Sequence, residues 1–143
     1  HNIRPCPGGP ELISALASRP DVLIGLVTGN FRASALVKLE AAGYDASLFR
    51  IGAYGDEAED RADLPPLAVE RASQIAGVSF HGPQVVMIGD TPGDIRCGEG
   101  IGARSIAVAT GWTPRAELAS HHPHYLFDDL SNTQAVLDAI LAP

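Results

Sequence analysis

Positive charge and long apolar runs are scarce in this chain of 143 residues. Lysine occurs once, at Lys38, and the formal net charge is -7. The chain contains no run of basic residues, which argues against a nucleic-acid backbone as the main partner, because phosphate contacts require clustered Lys or Arg. No apolar run approaches the roughly 20 residues that a membrane-spanning helix needs. We therefore expect neither nucleic acid nor a membrane as a partner.

Cysteine is also rare, and the common nucleotide-binding motifs are missing. Cys6 and Cys97 form neither a CxxC pair nor a disulfide framework. Because no signal-peptide pattern stands at the N-terminus, we expect a reducing, cytoplasmic location. The sequence has no GxGxxG after a strand and no P-loop, which argues against a dinucleotide-binding domain. The length corresponds to about one domain.

Strand and helix patterns alternate along the whole sequence. Apolar runs at residues 22–27, 85–88 and 105–109 have the length of strands and are apolar on both faces, as in parallel sheets covered by helices on each side. This alternation predicts a three-layer, Rossmann-like α/β fold with a mostly parallel sheet. Helices are predicted at residues 10–18, 32–42, 67–76, 94–100, 115–120 and 132–141, a further strand at 49–53 and an edge strand at 124–127.

The residues that directly follow each strand are the candidates for a functional site. In open parallel sheets, ligands bind beyond the carboxyl ends of the strands. After the first strand come Thr28, Gly29 and Asn30, which offer a hydroxyl and backbone N–H groups before a helix. This combination suits a phosphate oxygen. A helix N-cap made by the same three residues is an equally good interpretation.

Two carboxylates and one cation complete the candidate set. Asp90 and Asp94 follow the strand at residues 85–88 and supply the hard oxygen ligands that Mg²⁺ prefers. The alternative is that Asp94 only caps the next helix and Asp90 only forms a turn. Arg61 would offset the charge that develops in phosphoryl transfer. Because Arg61 lies in an acidic stretch, a surface ion pair is the competing explanation.

Several motifs together resemble the haloacid dehalogenase-like (HAD) hydrolases, and in particular their phosphoglycolate-phosphatase-like branch. The stretch "LVTGN" is similar to the second motif of this family, "RADLPPL" to the third and "MIGDTPGDI" to the fourth. "CPGGPELISAL" is similar to the segment that precedes the second motif, and "GARSIAVATGW" to the strand and loop after the fourth. These stretches occur in the family's order and span nearly the whole chain.

The resemblance implies a role for each candidate residue. Thr28, with Gly29 and Asn30 beside it, would bind a phosphoryl oxygen, and Arg61 would neutralise the charge of the phosphoryl group. Asp90 would ligate Mg²⁺, and Asp94 would support the metal site through water or hydrogen bonds. Lys is the more usual residue at the position of Arg61. Both are cations, but their hydrogen-bond geometries differ, so the precise role of Arg61 is left open.

One family motif is absent from this sequence. The first motif, Asp-x-Asp at the end of a strand, supplies the nucleophile and the general acid/base, and no stretch before Thr28 has this pattern. Residues 1–143 are therefore expected to be a single HAD-like core domain in its C-terminal portion, with neither the central first-motif strand nor the cap. Three explanations of this absence are open. The chain is part of a longer polypeptide, a dimer or swapped segment completes the sheet, or the chain is an independent degenerate domain.

The resemblance implies a Mg²⁺-dependent hydrolase of phosphomonoesters that acts on a small phosphorylated metabolite. In the intact protein the reaction would proceed through an aspartyl-phosphate, and this chain alone would be inactive. The alternative is a non-catalytic HAD-like domain that serves as a binding or scaffolding module.

Overall fold

Helices and strands alternate strictly in the computed structural model, which describes residues 6–142. The α-helices over these residues are α1 (Gly9–Ala17), α2 (Arg32–Ala41), α3 (Leu64–Ala76), α4 (Pro92–Cys97), α5 (Arg115–Ser120) and α6 (Thr133–Leu141). The strands are β1 (Gly25–Val27), β2 (Ile51–Ala53), β3 (Val86–Gly89), β4 (Arg104–Val108) and β5 (Tyr125–Phe127). Short 3₁₀ helices lie at Ala46–Leu48, Arg61–Asp63, Gly82–Gln84 and Glu99–Ile101.

The boundaries of α3, β1 and α4 differ from the predicted ones by up to three residues, and α4 (Pro92–Cys97) both begins and ends earlier than the predicted helix at residues 94–100. Helix α3 begins three residues before its predicted start, because Pro65 and Pro66 lie inside its first turn, where a missing N–H costs no intrahelical hydrogen bond. Strand β1 is shorter than the predicted strand at residues 22–27, because its pairing with β2 begins only at Gly25, opposite Ile51.

The described chain divides into two compact units, of which the first comprises Gly9–Ser79. Its strands β1 and β2 pair in parallel, with Leu26 opposite Gly52. The core of this unit joins β2 to α3 through the buried side chains of Ala53, Leu64 and Ala68. Leu64 is only 1% exposed, and complete burial of a leucine contributes about 1.5–3 kcal/mol. Helix α3 is therefore fixed against the strand that ends beside the Thr28 loop.

The second unit contains residues 6–8 and 80–142. Its three strands form a parallel sheet in the order β3-β4-β5, so that β5 is an edge strand, as predicted. The central strand β4 is buried over four of its five residues. Ala107 of this strand packs with Ile95 of α4 and Leu118 of α5 in a buried cluster. The sheet thus holds α4, and with it the loop that carries Asp90 and Asp94.

The predicted α/β fold class is confirmed. Every strand pairing in the described residues is parallel, and a helix lies between each strand and the next. The strands form two sheets, one in each unit, which is consistent with the expected incomplete sheet. That residues 1–143 form a single domain stays a prediction. Within residues 6–142, no helix has the length and apolar character needed to cross a bilayer.

Candidate phosphate- and metal-binding loops

The loop of Thr28, Gly29 and Asn30 rests on the end of the neighbouring strand. The backbone N–H of Thr28 donates to the carbonyl oxygen of Ala53 over 3.1 Å, and that of Gly55 donates to the carbonyl oxygen of Asn30 over 2.9 Å. A Cβ atom at Gly55 would overlap the backbone of Gly29. Glycine is therefore required at this close approach, and β2 fixes the conformation of the loop that follows β1.

The hydroxyl of Thr28 is not a helix cap. The N-cap of α2 is Phe31, which makes no side-chain cap hydrogen bond. Instead, Oγ1 of Thr28 accepts hydrogen bonds from the backbone N–H of Asn30 over 3.1 Å and from its Nδ2 over 3.2 Å. The sequence left two interpretations of this loop open, and the one in which Thr28, Gly29 and Asn30 form the N-cap of α2 is therefore excluded.

Arg61 opens the short 3₁₀ helix that leads into α3, and it is exposed. Asp60 caps this turn by accepting a hydrogen bond from the backbone N–H of Ala62 over 2.9 Å. In the same acidic stretch, Glu57 pairs with Arg71 of α3. The segment therefore has defined local structure, and Arg61 lies in the 3₁₀ turn directly before α3.

Asp90 lies directly after β3, and Asp94 holds its backbone. Oδ2 of Asp94 accepts hydrogen bonds from the backbone N–H of Asp90 over 3.0 Å and from that of Thr91 over 3.1 Å. The hydroxyl of Thr91 in turn accepts from the backbone N–H of Asp94 over 3.1 Å, which completes a capping box at the start of α4. Asp94 therefore caps the helix, as one sequence-based interpretation held, and also fixes Asp90.

The carboxylates of Asp90 and Asp94 each lie beside a glycine, in space that a side chain at that position would fill. A Cβ atom at Gly111, in the loop after β4, would overlap the carboxylate of Asp90. A Cβ atom at Gly89 would overlap the carboxylate of Asp94. The sequence signal for Gly111 was its place in the loop after a strand, but its contact with Asp90 depends on the pairing of β3 with β4.

The donor set of this loop fits a partial Mg²⁺ site. Among residues 6–142 there is no group of three or more His, Cys, Asp and Glu side chains that could hold a metal ion. Mg²⁺ is usually bound by one or two carboxylates, and waters and substrate oxygens supply the other ligands. The carboxylate of Asp90, in the space that Gly111 leaves open, has the chemistry of such a ligand.

The predicted site residues fall into two groups. One loop of the first unit contains Thr28, Gly29 and Asn30. Arg61 lies in the same unit but outside this loop. Asp90 and Asp94 share one loop of the second unit and are joined there by a hydrogen bond. No role was predicted from the sequence for Lys38, Arg71 or Gly111. Each of them contacts a residue outside its own element or loop, so no local pattern marked them.

Residues 64–133 match the sequence model of the HAD-hydrolase-like family. The matched region contains Asp90, Asp94 and Gly111. This region of the chain is therefore similar in sequence to the HAD-like hydrolases. The resemblance drawn from the sequence motifs is thereby confirmed at the level of the family. Thr28 and Arg61 lie outside the match. The roles of all the candidate site residues, including Asp90 and Asp94, stay predictions.

Several solved structures are similar to this chain. One is described as a predicted phosphoglycolate phosphatase from Haemophilus somnus, with a TM-score of 0.72 at 20% identity, over 92% of this chain and 56% of its own. A haloacid dehalogenase-like family hydrolase from Streptococcus pneumoniae has a TM-score of 0.70 at 20% identity, over 89% of this chain and 57% of its own. A hydrolase from Pseudomonas syringae has a TM-score of 0.71 at 21% identity, over 94% of this chain and 62% of its own.

These similarities show that the chain shares the fold of the three structures. The chain spans less than two thirds of the length of each of these three structures. Among curated proteins, no sequence matches the chain.

Proposed function

We propose that the chain carries the phosphate-binding and metal-binding residues of a Mg²⁺-dependent phosphomonoester hydrolase of the HAD type. The observation that supports this most directly is the geometry of Asp90. Its carboxylate stands at the carboxyl end of β3, where ligands bind in parallel sheets, in space left by Gly111. Asp94 fixes its backbone by a hydrogen bond of 3.0 Å. A turn that only caps α4 would account for this hydrogen bond, but it would not require the space that Gly111 leaves beside Asp90.

Each residue has a distinct task in this proposal. Asp90 would ligate Mg²⁺, and Asp94 would keep Asp90 in position. Thr28 would donate its hydroxyl hydrogen to a phosphoryl oxygen, beside the backbone of Gly29 and Asn30. Bound Mg²⁺ would offset the negative charge of the phosphoryl group and orient its oxygens.

Arg61 would supply the remaining positive charge. A guanidinium group presents its donors in a planar fork that fits two phosphoryl oxygens at once, whereas the ammonium group of lysine acts as a point charge. We therefore propose that Arg61 both neutralises and orients the phosphoryl group.

The attacking carboxylate and the general acid are assigned to an Asp-x-Asp segment outside these 143 residues. In the intact protein this carboxylate would form an aspartyl-phosphate, which water then hydrolyses. The proposed substrate is a small phosphorylated metabolite, a class to which the phosphoglycolate named for the Haemophilus somnus protein belongs.

The metal assignment is tested by Mg²⁺ binding to the purified chain, measured by isothermal titration calorimetry. Asp90→Asn removes the ligand charge while it keeps the size of the side chain, so we expect the Mg²⁺ affinity to fall at least about tenfold. Asp138→Asn is the matched control, because Asp138 is exposed on α6 of the same unit and loses the same charge. Its affinity should stay within about twofold of the parent chain.

Equal Mg²⁺ affinity in the parent chain and in Asp90→Asn would contradict the proposed metal site. A parent chain that binds no Mg²⁺ would favour the alternative function, a HAD-like binding or scaffolding domain without catalysis.

A further inference from the structure

Lys38, the single lysine of the chain, lies in α2 and contacts the loop that follows β1. Its Nζ donates a hydrogen bond to Oδ1 of Asn30 over 3.3 Å. The same amide group donates from Nδ2 to Oγ1 of Thr28 over 3.2 Å, and the backbone N–H of Asn30 donates to that oxygen over 3.1 Å. The three residues thus form one hydrogen-bonded chain that ends at the Thr28 hydroxyl.

The direction of each hydrogen bond in this chain follows from the chemistry of its groups. An ammonium group donates and never accepts, so the amide of Asn30 turns its oxygen to Lys38 and its nitrogen to Thr28. A threonine hydroxyl has one hydrogen to donate and two acceptor lone pairs. Because Asn30 supplies two donors to Oγ1, the hydroxyl hydrogen of Thr28 is directed away from Asn30. It is then oriented to donate to an anionic oxygen.

We infer that Lys38 is a positioning residue of the phosphate-binding loop. Through Asn30 it holds the Thr28 hydroxyl as a donor to the phosphoryl oxygen, and its positive charge adds to the attraction of the anion. This inference rests on the proposed function, since it takes the Thr28 loop as the phosphoryl site. Lys38 itself acts through Asn30 and makes no contact with the reacting atoms.

Lysine is better suited to this task than arginine. Its three donors lie on one rotatable atom, so one hydrogen bond to the Asn30 carbonyl leaves the planar amide free to align with Thr28. The other nine basic residues of the chain are all arginine, and lysine stands only where this contact is made.

The test is titration of the ¹⁵N-labelled full chain with inorganic phosphate, followed by NMR at the amide groups of Thr28 and Asn30. In the ligand-free chain, Lys38→Met should shift the side-chain NH₂ resonances of Asn30, because its oxygen loses a charged partner. Phosphate affinity should fall about tenfold, the size of effect expected for loss of a charge-assisted hydrogen bond. Lys38→Arg, which retains the charge, should restore affinity to within about threefold of the parent chain.

Arg50→Met is the matched control. Arg50 is exposed and precedes β2, at the opposite end of the strands from Thr28, and this substitution removes the same charge. Its phosphate affinity should stay within about twofold of the parent chain. All variants should melt within a few degrees of the parent chain, because both substituted residues are exposed.

The outcomes separate the inference from the proposed function. Unchanged phosphate affinity in Lys38→Met overturns the inference and leaves the phosphate site intact. An equal loss in Arg50→Met also overturns it, since net charge alone would then explain the effect. If phosphate shifts neither Thr28 nor Asn30 in the parent chain, the proposed phosphate site is wrong, and the inference is wrong with it.

Discussion

At the scale of single residues, Asp94 combines a structural and a functional position. The hydrogen bonds that its Oδ2 accepts from the backbones of Asp90 and Thr91 belong to the cap of α4. They also fix the backbone that carries the proposed metal ligand. The two sequence-based interpretations of Asp94, a helix cap and a support of the metal site, therefore do not exclude each other.

A pair of variants separates these two contributions. Asp94→Ala should lower both the free energy of unfolding and the Mg²⁺ affinity, because it removes the cap and releases Asp90. Thr91→Ala removes only the hydroxyl that caps α4, so it should lower the free energy of unfolding by about 1 kcal/mol while Mg²⁺ affinity is retained. Urea denaturation and calorimetric titration measure the two quantities. An equal loss of Mg²⁺ affinity in both variants would mean that Asp90 is held only by the integrity of the helix.

At the scale of secondary-structure elements, one ion pair links α3 to the end of β2. Arg71 of α3 donates to the carbonyl oxygen of Gly52 over 2.6 Å and to Oε1 of Glu57 over 2.9 Å. Glu57 also accepts a hydrogen bond from the backbone N–H of Tyr54 over 3.1 Å. Because the Thr28 loop rests on the turn after β2, this pair supports the proposed phosphate-binding loop from the side of α3.

The ion pair gives the stability a defined pH dependence. The hydrogen bond from Arg71 lowers the pKa of Glu57 below its ordinary value of 4.5. The resulting stabilisation is complete above about pH 5 and is lost as the pH falls through the lowered pKa. Glu57→Gln should therefore lower the free energy of unfolding by about 1 kcal/mol at pH 7, and the difference from the parent chain should vanish in strong acid.

Urea denaturation at several pH values between 2 and 7 checks this expectation. Glu59→Gln is the matched control, because Glu59 is exposed in the same acidic stretch. A constant difference between Glu57→Gln and the parent chain over the whole pH range would exclude the ionised pair as its cause.

At the scale of the whole molecule, the proposal places the nucleophile outside the 143 residues. The purified chain should therefore show no hydrolysis of p-nitrophenyl phosphate above background in the presence of Mg²⁺, as followed by the absorbance of released p-nitrophenolate. Mg²⁺-dependent hydrolysis that disappears in Asp90→Asn would show that a nucleophile lies within this chain. Hydrolysis that persists in Asp90→Asn would indicate a contaminating phosphatase.

The sequence by itself determined the order of the elements and the loops that carry the candidate residues. Helical spacing and short apolar runs depend on which face of a segment is buried, and this information is local. For the same reason the position of Asp90 after a strand could be predicted from the sequence. The residue at which β1 begins could not be predicted in this way, because a strand begins where its pairing with a neighbouring strand begins. The first partner of Gly25 is Ile51, which lies far along the chain.

Only the tertiary structure decided which distant residues meet. It brings Lys38 to Asn30, Arg71 to Glu57 and Gly111 to Asp90. It also divides the strands between two sheets. None of these contacts has a signature in the spacing of residues, because each depends on how separate elements pack. Local burial patterns therefore fixed the elements, and packing between elements selected the partners that position the candidate site.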